Sequence, residues 1–189
     1  MANVVITGST RGIGRGLAVE FLKRGHNVVV SSRRQADVDK AVSELSATGP
    51  AKVAGTSCDV TRKGDVQALW DLAVATFGRV DFWINNAGRA TSRYEVHELP
   101  EEMVHTLVDG NFKGSVFGSQ VAISGFRRQG SGALYNMLGG SFDGKRLTPN
   151  MGVYSATKAA DWLLTKYLVL ENKSPDIIIG AISPGMLIT

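Results

Sequence analysis

Short runs of apolar residues alternate with segments whose apolar positions recur three and four residues apart, along the whole 189-residue chain. The runs predict strands at 3–7, 27–31, 51–57, 80–85, 132–138 and 176–182. They are nearly continuous rather than polar at every second position, as expected of strands buried on both faces. The segments between them predict helices at 12–24, 35–47, 62–77, 100–109, 112–129 and 152–172. Gly25, Gly49-Pro50, Gly78 and Gly130 fall at helix ends, where a residue able to take positive φ is favoured. Repeated β-α units of this kind predict an α/β fold, a doubly wound parallel sheet in three layers. With no internal repeat, low-complexity tract or linker, residues 1–189 read as a single domain.

The helical patterns are not alike. Ile13 to Arg24 and Val66 to Phe77 are amphipathic, as suits helices lying on a sheet. The segment carrying Ala156, Ala159, Ala160, Trp162, Leu163, Leu164, Tyr167 and Leu168 is apolar almost all round. Such a helix needs a second cover, either a copy of the chain in a homodimer or homotetramer or other parts of the same chain.

Two motifs carry chemistry. The first, Thr7-Gly8-Ser9-Thr10-Arg11-Gly12-Ile13-Gly14, links the apolar run Val4-Val5-Ile6 to a helical stripe of Leu17, Ala18, Phe21 and Leu22. A strand, a glycine turn and a helix N-terminus present free backbone N–H groups to a pyrophosphate, as in Rossmann-type folds. The glycine spacing differs from G-x-G-x-x-G, so by itself it supports a nucleotide loop, with a plain glycine turn as the alternative. The second motif is Tyr154-Ser155-Ala156-Thr157-Lys158. Residues four apart share a helix face, so the Lys158 ammonium is expected to lower the phenol's pKa. A phenol so tuned can exchange a proton with a carbonyl oxygen near neutral pH. Alone, this spacing would equally suit a solvated lysine beside a half-buried tyrosine.

Together the motifs resemble the short-chain dehydrogenase/reductase family, and further matches follow in order. They are Cys58-Asp59-Val60, Asn85-Asn86-Ala87-Gly88, Asn111, and Ser183-Pro184-Gly185 after Ile177-Ile178-Ile179. The resemblance covers essentially the whole chain. It implies hydride transfer between a nicotinamide cofactor and a carbonyl or alcohol carbon. Tyr154 would then be the general acid, Lys158 would hold the nicotinamide ribose, and Ser141 would steady the carbonyl oxygen. Asn111 would hold a relay water, Asp59 and Val60 would lie at the adenine, and Asn86, Ala87, Gly88, Pro184 and Gly185 would line the cofactor. Read without the resemblance, Ser141 is a loop serine bonding its own backbone and Asn111 a helix-cap residue.

Around the tyrosine, Asn136-Met137-Leu138-Gly139-Gly140-Ser141-Phe142-Asp143-Gly144 and Thr148-Pro149 resemble the chlorophyll(ide) b reductase branch, which reduces a ring formyl group. The order of Gly and Ser at 140–142 departs from that branch. Other carbonyls, such as a 3-oxoacyl thioester, and a non-catalytic NADP(H)-binding sensor or scaffold are the competing readings. The family normally continues beyond the position of Thr189 with a substrate-covering segment, so a C-terminal truncation is expected.

Charge sharpens the cofactor. NAD-specific folds usually place an acid at the end of the second strand, where this chain has Ser31-Ser32-Arg33. With Arg11 in the glycine loop, these residues favour a 2′-phosphate and hence NADP(H). The net charge of +4, from 21 basic and 17 acidic residues, is scattered, which disfavours a nucleic-acid surface. No apolar run approaches the roughly 20 residues that cross a bilayer, and Met1 leads straight into a strand, so a cytoplasmic location is expected. Cys58 is the only cysteine and reads as a buried thiol. His26, His97 and His105 lack ligand-like spacing, and no metal is expected.

Overall fold

Val4, Val5 and Ile6 are all fully buried, which consecutive strand residues achieve only between two covering layers. The computed structural model describes residues 1–91 and 94–185 and supplies both layers; Met186, beside the last motif, lies outside them. Six strands, β1 (Asn3–Ile6), β2 (Asn27–Ser32), β3 (Val53–Ser57), β4 (Phe82–Asn85), β5 (Gly132–Met137) and β6 (Ile177–Ile182), form one sheet in the order β3-β2-β1-β4-β5-β6. Every pairing is parallel. The helices are α1 (Gly12–Lys23), α2 (Gln35–Leu45), α3 (Lys63–Phe77), α4 (Glu101–Leu107), α5 (Gly114–Gln129) and α6 (Gly152–Glu171).

The strand period of two divides the core. Val5, Val29, Trp83 and Leu134 meet Val66, Leu69, Trp70 and Ala73 of α3 and Val121, Ala122 and Phe126 of α5, with Leu168 of α6 at the margin. Val4, Ile6, Val28, Val30 and Ile84 face the other way, onto Ala18 and Leu22 of α1 and Val38, Ala41 and Leu45 of α2. Trp70 forms the hinge of the first half, its ring centroid 5.4 Å from Phe126 and 6.0 Å from Trp83. Cys58 is buried there, and desolvation pushes its thiol up from 9.0 to about 12, out of reach of ordinary thiol chemistry.

Two departures from the sequence pattern have local causes. The helices expected at 100–109 and 112–129 are one continuous run, because a π-turn at Val108–Lys113 joins α4 to α5. Gly110 therefore does not break the helix; contacts of the Asn111 side chain, described below, favour the wider turn. At Gly78 and Gly130 the helices end in left-handed glycine as expected, with φ of 84° and 92°. Helix α2 instead stops at Ser46 in right-handed conformation, and Gly49 takes no positive φ. Ser46 Oγ donates to the Val42 carbonyl at 2.7 Å and the Thr48 N–H to the Leu45 carbonyl at 2.9 Å, so the last carbonyls need no glycine cap.

A Cβ added to Gly125 of α5 would run into the Trp70 indole, so close helix–helix approach depends on this glycine. Gly125→Val is expected to destabilise the fold by about 1–3 kcal/mol through overpacking, measured by urea unfolding. A midpoint equal to wild type would show that α3 and α5 do not meet through Trp70.

Candidate active site

The sheet order reverses direction between β1 and β4, and the two loops leaving these strands meet at that crevice. The glycine loop leaves β1 with Gly8 at φ 62° and Gly12 at φ 56°, left-handed positions suited to glycine. Thr7 Oγ1 accepts the N–H groups of Asn86 and Ala87, both at 3.0 Å. Asn86 Nδ2 donates to the carbonyls of Thr7 and Gly8 at 2.9 and 3.0 Å. Ser9 Oγ donates to the Ile6 carbonyl at 2.6 Å and accepts the Ser31 N–H at 3.0 Å. The side chains of Ser9 and Asn86 are thus committed to shaping the loop. Thr7, which the spacing did not single out, is its central clamp.

A Cβ on Gly14 would strike the Asn86 amide and stand 2.7 Å from the Gly8 carbonyl oxygen, so α1 can start here only on glycine. At Gly12 a Cβ would meet nothing within 4 Å, leaving the entrance between Thr10, Arg11 and Ile13 clear. Helix α1 has no acidic residue in its first turn and no side-chain cap, so its leading amides remain available to an anion. The fit to a dinucleotide pyrophosphate is good on these grounds.

At the end of β2, Arg34 and Asp37 form a forked pair at 2.8 and 2.7 Å, which raises the guanidinium pKa and lowers that of the carboxyl. Ser32 Oγ donates to the Arg34 carbonyl at 3.2 Å. Arg11 and Arg33 are exposed and make no ion pair with the described residues. Asp59 Oδ1 accepts the Thr61 N–H at 3.0 Å and the Thr61 hydroxyl at 2.8 Å, fixing the turn after β3. Val60 lies against Gly114. Beyond β6, Pro184 is partly buried and Gly185 turns with φ 75°.

Helix α6 brings the second motif to the same crevice. Tyr154 is partly buried, and its hydroxyl stands against Gly139 so closely that a Cβ there would run into it. Lys158 is 4% exposed and donates to the Met137 carbonyl at 2.9 Å and to Asp161 Oδ2 at 3.0 Å. A Cβ on Gly88 would lie 3.1 Å from Asn111 Oδ1 and 3.7 Å from Lys158 Nζ, so the loop after β4, the π-turn and α6 converge. Asn111 Oδ1 accepts the Arg89 N–H at 2.8 Å; its amide donates to the Arg89 carbonyl at 2.9 Å and to Thr157 Oγ1 at 3.1 Å. Ser141 sits partly buried, two residues beyond Gly139, in the turn that Gly144 N–H closes onto its carbonyl at 3.2 Å. A glycine of the 136–144 segment, which spacing along the chain does not reveal, is what touches the phenol.

The phenol's tuning differs from expectation. Burial, and next the negative charge of Asp161, push the Tyr154 pKa up rather than down. The ammonium of Lys158 is held by Asp161 and the Met137 carbonyl. Beside Tyr154 lies a shallow depression lined by Thr91, Tyr94, Val96, Leu99, Asn150 and Val153.

Comparison with known proteins places these features in context. The short chain dehydrogenase family profile matches residues 2–189. A chlorophyll(ide) b reductase of rice (Oryza sativa subsp. japonica) is 40% identical over 99% of this chain and 56% of its own length. The chain spans about half the length of the curated relatives it matches. The plant relatives are chloroplastic, which gives no support to the cytoplasmic location read from the sequence. An alcohol dehydrogenase from the archaeon Thermococcus sibiricus, solved with 5-hydroxy-NADP, superposes with a TM-score of 0.89 at 27% identity, covering 100% of this chain and 78% of that one. A 3-ketoacyl-(acyl-carrier-protein) reductase from Brucella melitensis, solved with NADH, gives 0.87 at 28% identity over 97% and 75%.

Because Asn111 is fully buried and joins the π-turn to both Arg89 and α6, Asn111→Ala is expected to cost about 2–4 kcal/mol, from a cavity at a buried site together with the loss of three hydrogen bonds. Denaturant unfolding measures it. A loss below about 0.5 kcal/mol, the range of an ordinary surface change, would mean that these bonds do not hold the turn.

Proposed function

Because the chain belongs to the short-chain dehydrogenase/reductase family, we propose that it is an NADPH-dependent reductase of an aldehyde or ketone carbonyl. The observation that carries this reading is the convergence of Lys158 and Asn111 on Gly88, one loop away from the anion-ready start of α1, with Tyr154 one helical turn before Lys158 and its hydroxyl against Gly139. A bound NADPH supplies the hydride. Tyr154, kept protonated by burial, donates the proton to the carbonyl oxygen. Lys158 holds the ribose hydroxyls, and Asn111, which fixes the π-turn, holds the relay water. Ser141 steadies the substrate oxygen from the turn after β5. Gly8, Thr10, Arg11, Gly12, Ile13 and Gly14 cradle the pyrophosphate, while Asp59 and Val60 flank the adenine. Ala87, Gly88, Pro184 and Gly185 line the nicotinamide half.

Arg11 and Arg33, unpaired among the described residues, support a 2′-phosphate, and Ser32 sits where a carboxylate would repel it. Similarity to the plant enzymes along nearly the whole chain supports the formyl group of chlorophyll(ide) b, or of a related molecule, as the substrate. On α6, Leu163, Tyr167 and Leu170 are 56%, 55% and 70% exposed, which supports a homodimer or homotetramer formed on this helix.

Loss of NADPH absorbance with chlorophyllide b, a 3-oxoacyl thioester and small aldehydes tests the substrate; turnover confined to small aldehydes would remove the chlorophyllide assignment. Tyr154→Phe should lower kcat about 10²–10⁴-fold with NADPH binding retained, and an undiminished kcat would remove Tyr154 from its role. Ser32→Asp should reduce the preference for NADP over NAD, as the ratio of kcat/KM values, by about tenfold or more, some 1.4 kcal/mol. An unchanged ratio would refute the 2′-phosphate assignment.

A further inference from the structure

Asp161 stands three residues after Lys158 on α6 and is fully enclosed. Its Oδ2 accepts the Lys158 ammonium at 3.0 Å, while its Oδ1 has no hydrogen-bond partner. Ser115 of α5 faces the carboxylate, but its one hydroxyl proton goes to the Asn111 carbonyl at 2.8 Å. A sealed carboxylate with an orphaned oxygen is costly, and an apolar side chain of similar volume would serve packing as well or better. Pairs kept for structure alone generally saturate their lone pairs. The arrangement therefore points to a use for the charge itself, and the group within its influence is the Tyr154–Lys158 pair.

Resting on the reductase reading, we propose that Asp161 is a positioning residue: it holds the ammonium of Lys158 in a neutral buried pair, so that the Tyr154 hydroxyl, carried one helical turn before Lys158 on the same face of α6, remains a proton donor. The elements packed against α6 bring no competing charge to this spot. Asp109 and Lys113 of the π-turn pair with each other at 3.5 Å, and Glu101, Glu102 and His105 of α4 are exposed to solvent. Strand β6 has no ionisable residue; β5 offers the Met137 carbonyl and the phenol of Tyr135. Lys166, further along α6, lies over Trp162, 4.8 Å from the ring centroid. Burial raises the Asp161 carboxyl, and Lys158 opposes that rise; Asp161 in turn raises the phenol. Removing its charge while keeping Lys158 should thus favour the phenolate, moving the Tyr154 titration to lower pH.

The test is phenolate absorbance titration of the cofactor-free protein, wild type against Asp161→Asn, each with its Tyr154→Phe counterpart to subtract Tyr94, Tyr135 and Tyr167. Tyr154 is expected to titrate about one pH unit or more lower in Asp161→Asn, and the alkaline limb of kcat for carbonyl reduction should fall by the same interval with KM for substrate little changed. Asp161→Ser, smaller and uncharged, should do the same and serves if the asparagine variant folds poorly by circular dichroism. An unshifted titration in a folded variant overturns the proposal. A shifted titration in a protein that reduces no carbonyl supports the Asp161 assignment and overturns the reductase reading; an unshifted titration in an active reductase does the reverse.

Discussion

The hydrogen bond from Asn85 to Asn136, 2.8 Å long and sealed from water between β4 and β5, governs where the groups of the site stand. Buried amides must satisfy their polar atoms, and these two do so by reaching into three different elements. Asn85 Oδ1 accepts the Trp83 indole N–H at 2.8 Å, and its amide also reaches the Ser115 carbonyl and the Ser119 hydroxyl at 3.2 Å on α5. Asn136 passes its amide to Thr165 Oγ1 of α6 at 2.9 Å. Gly118 lets α5 come this close, since a Cβ there would collide with Asn85. Sliding either helix would orphan dipoles at the sheet centre, so both are held in register. Tyr154, Lys158, Asp161 and Thr165 recur at intervals of four, three and four on α6. The face pinned at Thr165 is therefore the face that carries the chemistry.

Much of this was legible along the chain, because strand burial and helix amphipathicity leave periodic marks. All six strands and the order of β and α units follow from runs such as Val28-Val29-Val30 and from the glycines that close α3 and α5. The glycine loop and the tyrosine–lysine pair were legible for a related reason: their geometry is local, set by a turn or by one helical repeat. What escaped depends on contacts between distant segments. Segments 100–109 and 112–129 read as two helices, whereas Asn111 between them, bonded to Arg89 and Thr157, lies in a π-turn that carries the helix through. The family resemblance pointed to Ser141, but only the path of the chain after β5 puts Gly139 against the phenol. Thr7 opened the glycine motif, but its clamp depends on Asn86 and Ala87, which come to it from a loop 79 and 80 positions away.

The direction of the lysine is the deepest of these omissions, and it follows from the same packing. A period-based reading pairs Lys158 with Tyr154 because both lie on one face, but Asp161 lies on that face too and is buried more completely. An ammonium sealed from water goes where its charge is answered, and a carboxylate 3.0 Å away answers it better than a neutral phenol. Ser115 belongs to the same arrangement: one hydroxyl between the Asn111 carbonyl and the Asp161 carboxylate can serve only one of them, and the carbonyl receives it. The π-turn and the ion pair are thereby linked through a single proton. Charge at the phenol is thus set by how α5 and α6 share a few buried polar atoms, which no count of residues between Tyr154 and Lys158 can express.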